Sequence, residues 1–370
     1  MPSLGRRGWI ITVSIASVLI ICVVLASVPA TRTAIQNASC ALLGLGCPPV
    51  PGEPGPDEED DPAWRQELAP QDAATWGHYV ALGDSYSSGD GADDYSNETQ
   101  RDRNCYRSAN AYPHRLAESS DFAGNLSFLA CSGQRGSSML ENLDEEHAQL
   151  AALTPETSLV TIGIGGNDIG FSSVLQACML RVPFVDRNAC VGQEDEIEDR
   201  MEEFEDTFAE LLTEVRTRAP DARVLVVGYP RIFPEDPQSM YYTLSTGDQS
   251  WLNTTIQRFN NQIRDAVVET DAQIAEAGAV GSVEFVDTYD ALDGHEVSTD
   301  ESWVNGVILD RGTQQAVTVD RATFHPTAAG QSAVGDRVAE QVEDGPGREV
   351  YVRQNTLDRV ADGPLAAGDS

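Results

Sequence analysis

The chain has 370 residues with 24 Lys+Arg against 59 Asp+Glu, a formal net charge of −35, and every basic residue is Arg. Without Lys it can hold neither a Walker-type phosphate loop nor a Schiff-base nucleophile. Its acidity repels nucleic acid and anionic lipid headgroups, whereas 41 % hydrophobic and 22 % charged residues is an ordinary globular composition.

In chain order, Arg6 and Arg7 precede an uncharged apolar run over residues 9–28. Its length suits a membrane-spanning helix of about 20 residues. The competing reading is a signal peptide cleaved near Val28-Pro29-Ala30. Either way the arginines stay inside and the rest of the chain is exported. The expected organisation is a transmembrane anchor or signal peptide over 1–34, a Pro- and acid-rich extracytoplasmic linker over 35–75, a globular domain over 76–343 and a tail over 344–370. Within the linker, residues 48–62 (PPVPGEPGPDEEDDP) read as an extended, self-repelling stalk. In the tail, Val350-Tyr351-Val352 can dock locally. Membrane contact is expected through the N-terminal segment alone, with no nucleic-acid partner, and the protein is expected to be monomeric.

Cys22 lies inside the apolar run. The remaining six cysteines, an even number in an exported chain, read as disulfides. Proximity favours Cys40–Cys47, Cys105–Cys131 and Cys178–Cys190. No Cys-x-x-Cys pair occurs and no His is spaced to help, so no metal site is expected.

Strand candidates are residues 79–82 (YVAL), 126–129 (LSFL), 159–162 (LVTI), 224–227 (VLVV) and 283–286 (VEFV). They are short and apolar, as strands buried on both faces of a parallel sheet are. Between the third and fourth, residues 196–218 repeat Met201, Phe204, Phe208, Leu211, Leu212 and Val215 at helical spacing with acids facing outward. A second helix is expected over residues 251–277. Five strands with helical crossovers imply an α/β fold, a three-layer α/β/α sandwich on a five-stranded parallel sheet, with chemistry at the strands' carboxyl ends.

Those ends carry Gly83-Asp84-Ser85, then Cys131-Ser132-Gly133, then Gly163-Ile164-Gly165-Gly166-Asn167-Asp168; Phe324-His325-Pro326 comes late. Each alone has a bland reading, as a capped turn, a lone glycine, a glycine loop or a structural His. The Gly-x-Ser-x-Gly elbow and His-x-x-x-His pairs are absent, which argues against α/β-hydrolase and zinc-protease arrangements. Together, in this order, the blocks GDSYSSG, ACSG, IGGNDIGF, GYPRIFP and FHPTAAG resemble the SGNH (GDSL-like) hydrolases over about residues 79–338, and most of all their secreted actinobacterial esterase and lipase branch.

The resemblance implies a flavodoxin-like fold and a cofactor-free serine ester hydrolase acting on small-molecule or lipid esters. It assigns Ser85 as nucleophile and His325 as base, with an oxyanion hole formed by the Ser85 and Gly133 N–H groups and the Asn167 amide. Asp84 and Asp168 are expected to be structural. Where the family usually has Asp three residues before the His, this chain has Ala322. A Ser–His dyad is therefore expected, with the Ala322 carbonyl, or that of Thr323, orienting the ring and Asp320 as the alternative. A Cys that relatives often carry near Gly294-His295-Glu296-Val297 is also absent, so the loop before Trp303 is expected to be looser. Tyr86, Phe171, Tyr229, Phe233, Tyr241, Tyr242 and Trp303 are candidates for an acyl pocket or for ordinary packing. Polysaccharide O-deacetylation, phospholipid hydrolysis and a non-catalytic surface module are the alternatives. Of the 59 acids, 17 fall in residues 53–61 and 194–214, away from every proposed site residue.

Overall fold

The computed structural model describes residues 49–56, 58, 61, 63–96, 104–143, 148–180, 190–311 and 317–362. The apolar run 9–28 and the expected Cys40–Cys47 pair lie outside the described residues. Among those described, no helix is long and apolar enough to cross a membrane.

In chain order the elements are β1 (Arg65–Leu68), α1 (Pro70–Thr75), β2 (His78–Gly83), α2 (Ser85–Ser88), α3 (Tyr112–Ser119), β3 (Leu126–Phe128), α4 (Gly136–Glu141), β4 (Thr157–Gly163), α5 (Phe171–Leu180), α6 (Glu194–Arg218), β5 (Arg223–Val227), α7 (Thr246–Glu276), β6 (Ser282–Val286), β7 (Leu309–Arg311), β8 (Val317–Val319), α8 (Ala328–Asp344), β9 (Val350–Arg353) and α9 (Gln354–Asp362). All five expected strands are present, within two residues of their expected ends. They form one parallel sheet in the order β3-β2-β4-β5-β6. Every residue of β4 and β5 is buried, so both sheet faces need a cover. On one face Tyr79, Ala81, Leu159, Leu225 and Val227 pack with Ala74 of α1, Tyr112 and Leu116 of α3, and Val334, Val338 and Val342 of α8. The alternate residues meet the layer of α6 and α7, which lock together through Phe204 and Phe259, ring centroids 5.5 Å apart.

The α6 pattern follows from its sequence. Its apolar stripe is buried, three acids sit in its first turn and Arg216 and Arg218 in its last, both matching the helix dipole. The α7 helix starts earlier than residue 251 because Ser245 and Asp248 form a capping box, which Gly247 in the first turn obscures in the sequence.

The chain order reverses between β2 and β4, since β3 lies on one side of β2 and β4 on the other. Their carboxyl ends thus flank a crevice, the usual ligand position in such sheets.

At the opposite end, residues 65–75, expected in the linker, form β1 and α1, and residues 350–362, expected in the tail, form β9 and α9. β1 and β9 pair antiparallel from Arg65↔Arg353 to Leu68↔Val350. Part of the expected stalk is docked as well: Val280 N–H donates to the Gly52 carbonyl (3.1 Å), and buried Arg216 donates to the Pro51 carbonyl (3.1 Å). These contacts join distant parts of the chain, so no local pattern announces them. Below β5 and β6, Arg223 and Glu284 form a buried two-pronged ion pair (2.8 and 2.7 Å). The remaining Arg223 donors reach the carbonyls of Pro70, Val342 and Gln341, and Ser282 and Gln341 donate to Glu284.

Candidate active site

Strand β2 ends in a clamp. The Gln149 side chain accepts from Gly83 N–H (2.8 Å) and donates to its carbonyl (3.0 Å). Asp84 then caps α2: its carboxylate accepts from Tyr86 N–H (3.0 Å) and from the Tyr229 hydroxyl (2.6 Å). Burial pushes the Asp84 carboxyl up to about 7, while those hydrogen bonds act in the opposite direction. With both its oxygens engaged in holding the turn, Asp84 fixes where Ser85 points.

The Ser85 hydroxyl lies 2.7 Å from His325 Nε2, and His325 Nδ1 lies 3.2 Å from the Thr323 carbonyl oxygen. A carbonyl can only accept, so Nδ1 carries the proton and the Nε2 lone pair faces Ser85. Burial holds the imidazole in this neutral form, pushing its pKa down to about 4; the Thr323 carbonyl favours the cation, the Arg321 charge opposes it and Asp320 favours it.

Of the two carbonyls expected to orient the ring, those of Ala322 and Thr323, Nδ1 meets the second. The Ala322 carbonyl accepts the backbone N–H of His325 itself (3.1 Å), while the ring meets the Thr323 carbonyl instead. Asp320 accepts the Ala322 N–H (2.8 Å). Thr323 O reaches Nδ1 because Phe324, between them, adopts a left-handed φ of 64°. That backbone is held from both sides. Phe324 N–H donates to the Asn305 carbonyl (2.9 Å), and Asn305 N–H donates to the His325 carbonyl (2.9 Å). The Tyr86 hydroxyl donates to Phe324 O (2.8 Å), and its ring packs on the imidazole at 4.8 Å. A backbone carbonyl leaves no mark in a side-chain pattern, so sequence alone does not single out Thr323.

Gly133 and Asn167 approach each other through their loops, since the Asn167 amide donates to the Gln134 carbonyl (2.9 Å) and keeps its second N–H. Among the described residues, neither Ser85 N–H nor Gly133 N–H donates to any group. Gly133 has φ 80°, and a Cβ there would meet nothing within 4 Å. Asp168 is structural: it accepts from Gly136 N–H (3.0 Å) at the start of α4.

A cavity of about 50 Å³ is lined by Ser85, Asn167 and His325 together with Ile169, Phe171, Leu175, Tyr229, Ile256 and Phe259. Of the seven candidate aromatics, Tyr86, Phe171 and Tyr229 line it. Phe233 and Tyr241 instead back Phe324, at 5.4 and 6.2 Å. Tyr242 is exposed, and Trp303 stacks on His295 at 3.6 Å. That stack, with the Arg231–Glu296 ion pair (2.7 Å), holds the loop expected to be looser.

Two of the expected disulfides are present. Cys105–Cys131 flanks the Gly133 loop, and Cys178–Cys190 joins the end of α5 to the segment before α6. Among the described residues no three His, Cys, Asp or Glu side chains are grouped to hold a metal ion.

Residues 81–333 match the model of the GDSL-like lipase/acylhydrolase family. Lipase 1 of Streptomyces coelicolor is 31 % identical over 269 residues, 71 % of this chain and 85 % of that protein. The crystal structure of phospholipase A1 from Streptomyces albidoflavus superposes with a TM-score of 0.58 at 31 % identity, covering 71 % of this chain and 98 % of that one. The extracellular lipase of Streptomyces rimosus gives a TM-score of 0.57 at 28 % identity, over 71 % and 99 %. The chain therefore belongs to the GDSL-like lipase/acylhydrolase family and is a carboxylic ester hydrolase of the lipase and esterase type.

Proposed function

We propose that this protein is an exported hydrolase of uncharged aliphatic esters, working through a Ser85–His325 dyad and a three-donor oxyanion hole. The observation that carries this reading is the 2.7 Å contact between the Ser85 hydroxyl and His325 Nε2 at the mouth of an apolar cavity. Ser85 Oγ attacks the ester carbonyl carbon while Nε2 takes its proton. The carbonyl oxygen, now negative, is met by the N–H groups of Ser85 and Gly133 and by the spare N–H of Asn167. The Thr323 carbonyl supports the transient imidazolium at Nδ1, in place of a carboxylate. His325 then returns the proton to the leaving alcohol. Water, deprotonated by the same nitrogen, attacks the carbonyl of the acyl-Ser85 ester; the acyl C–Oγ bond breaks as His325 returns the proton to Ser85, and the acid leaves.

The apolar side chains of Ile169, Phe171, Leu175, Ile256 and Phe259 make up much of the lining and favour an aliphatic acyl chain over a charged one, although Ser172 and Tyr229 also reach it. The net charge of −35 disfavours anionic polymers. Phospholipid hydrolysis is the second reading, favoured by the likeness to the Streptomyces albidoflavus phospholipase A1. Export is supported by the two disulfides and by the extracellular Streptomyces rimosus relative. The 1–34 segment would then serve as signal or anchor, which fractionation of cells from medium distinguishes.

The test is hydrolysis of p-nitrophenyl esters from acetate to palmitate, with phosphatidylcholine alongside and Ser85→Ala as control. Turnover of a middle or long acyl chain by the wild type alone supports the reading. Equal rates in the two proteins would overturn it.

A further inference from the structure

Two of the atoms assigned to the reaction are backbone atoms on loops: the Gly133 N–H and the Thr323 carbonyl oxygen. Neither lies in a strand or helix, so each is placed only as well as its loop is placed. One side chain touches both loops. Asp90 is fully buried, and its own N–H donates to the carbonyl of Ser85 (3.0 Å). One of its carboxylate oxygens accepts from the hydroxyl of Ser132 (2.7 Å), the residue directly before Gly133. The other oxygen is ion-paired with Arg321, two residues before Thr323.

The surroundings of the pair are built as well. The Arg321 guanidinium lies over the rings of Tyr106 (3.3 Å) and Tyr95 (5.3 Å). Tyr95 accepts the N–H of Gly91, next to Asp90 (2.8 Å). Ser132 N–H donates to the carbonyl of Cys105, the disulfide partner of Cys131. A buried carboxylate is costly unless paired and hydrogen-bonded, so this arrangement holds the carboxylate between the two loops in one geometry.

We propose that Asp90 and Arg321 are positioning residues that tie the Gly133 loop and the Thr323 loop to the Ser85 turn, so that oxyanion donor and ring-orienting carbonyl are set together. The chain lacks a carboxylate on His325 itself; here a carboxylate instead fixes the backbone that faces His325. This inference rests on the Ser85–His325 reading.

The experiment measures kcat and KM on p-nitrophenyl butyrate for Asp90→Asn, Arg321→Gln, Arg321→Lys and the double variant Asp90→Asn/Arg321→Gln, beside Ser85→Ala. Each single neutral variant is expected to lose about 10- to 100-fold in kcat with KM changed by no more than about twofold, as displaced but intact machinery does. The double variant should be no slower than the slower single, because both remove one link. Arg321→Lys, which keeps the charge, should recover most of the rate lost in Arg321→Gln. A folded Arg321→Gln enzyme with wild-type kcat, or losses that multiply in the double variant, would overturn the proposal. Should Asp90→Asn fail to fold, the Lys-against-Gln comparison at position 321 decides it, with equal rates in the two counting against. Inactive Ser85→Ala beside unaffected Arg321 variants sinks this inference alone; active Ser85→Ala sinks the dyad with it.

Discussion

The two ends of the sheet are both polar and both buried, yet they are finished differently. Below β5 and β6, Arg223 and Glu284 are almost wholly shielded from solvent, and both side chains are saturated by each other and by neighbouring groups. At the carboxyl ends, Ser85 and Gly133 carry N–H groups without a described acceptor, Phe324 takes a left-handed backbone, and His325 is held neutral by burial. A saturated network fixes the fold, whereas spare donors beside the proposed nucleophile are what the proposed reaction needs for a charge that forms only during turnover. The difference lies in satisfaction, not in polarity.

Breaking the saturated end should cost stability and leave the chemistry intact. Arg223→Met strands Glu284 in the interior and is expected to destabilise the fold by about 3–5 kcal/mol, read by denaturant unfolding, with kcat of the folded enzyme unchanged. Breaking the open end should do the reverse. Asn167→Ala removes one proposed oxyanion donor and should lower kcat by about 10²–10³-fold, with little change in unfolding midpoint. A large stability loss there would mean that the Asn167–Gln134 contact matters more than the spare N–H.

The pH profile sharpens the comparison. Burial disfavours the imidazolium, so His325 stays in its base form as pH falls below the ordinary histidine value and is lost as a base near pH 4. The acid limb of kcat/KM should accordingly lie well below about 6.5; a limb at or above that value would contradict the environment described. The smallest effect is expected at Asp320. Its carboxylate caps the Ala322 N–H, and the ring Nδ1 faces the Thr323 carbonyl, the proposed orienting group. Asp320→Asn should keep kcat within about threefold of wild type, since an amide oxygen can accept the same bond; loss of turnover would make Asp320 the orienting group.

The same contrast explains what the sequence disclosed. Ser85 and Asn167 follow strand ends and His325 precedes the final long helix, in a recognisable order, and the short apolar strands announce a sheet buried on both faces. Thr323 acts through its carbonyl, which any residue possesses, and becomes visible only once the Phe324 backbone is known. Asp90 reads as one more acid in an acidic chain until Arg321, far away in sequence, is seen beside it. Arg223 opens β5 and Glu284 lies within the apolar run of β6, and neither position alone names the other as its partner. The β1–β9 pairing joins the two ends of the domain, so the linker and tail looked unstructured because neither segment has a partner nearby in sequence. Of the acids behind the charge of −35, 17 of 59 lie in residues 53–61 and 194–214, most of the latter on the outer face of α6.

The central claim is that Ser85, activated by His325, forms the covalent intermediate. Its most direct test is mass spectrometry of the protein after exposure to a p-nitrophenyl alkylphosphonate, which leaves a stable adduct on an activated serine. The account predicts one adduct per chain, on the peptide containing Ser85, absent in Ser85→Ala and strongly slowed in His325→Ala. An adduct on another residue, or unmodified Ser85 in an enzyme whose hydrolysis has been abolished by the reagent, would contradict it.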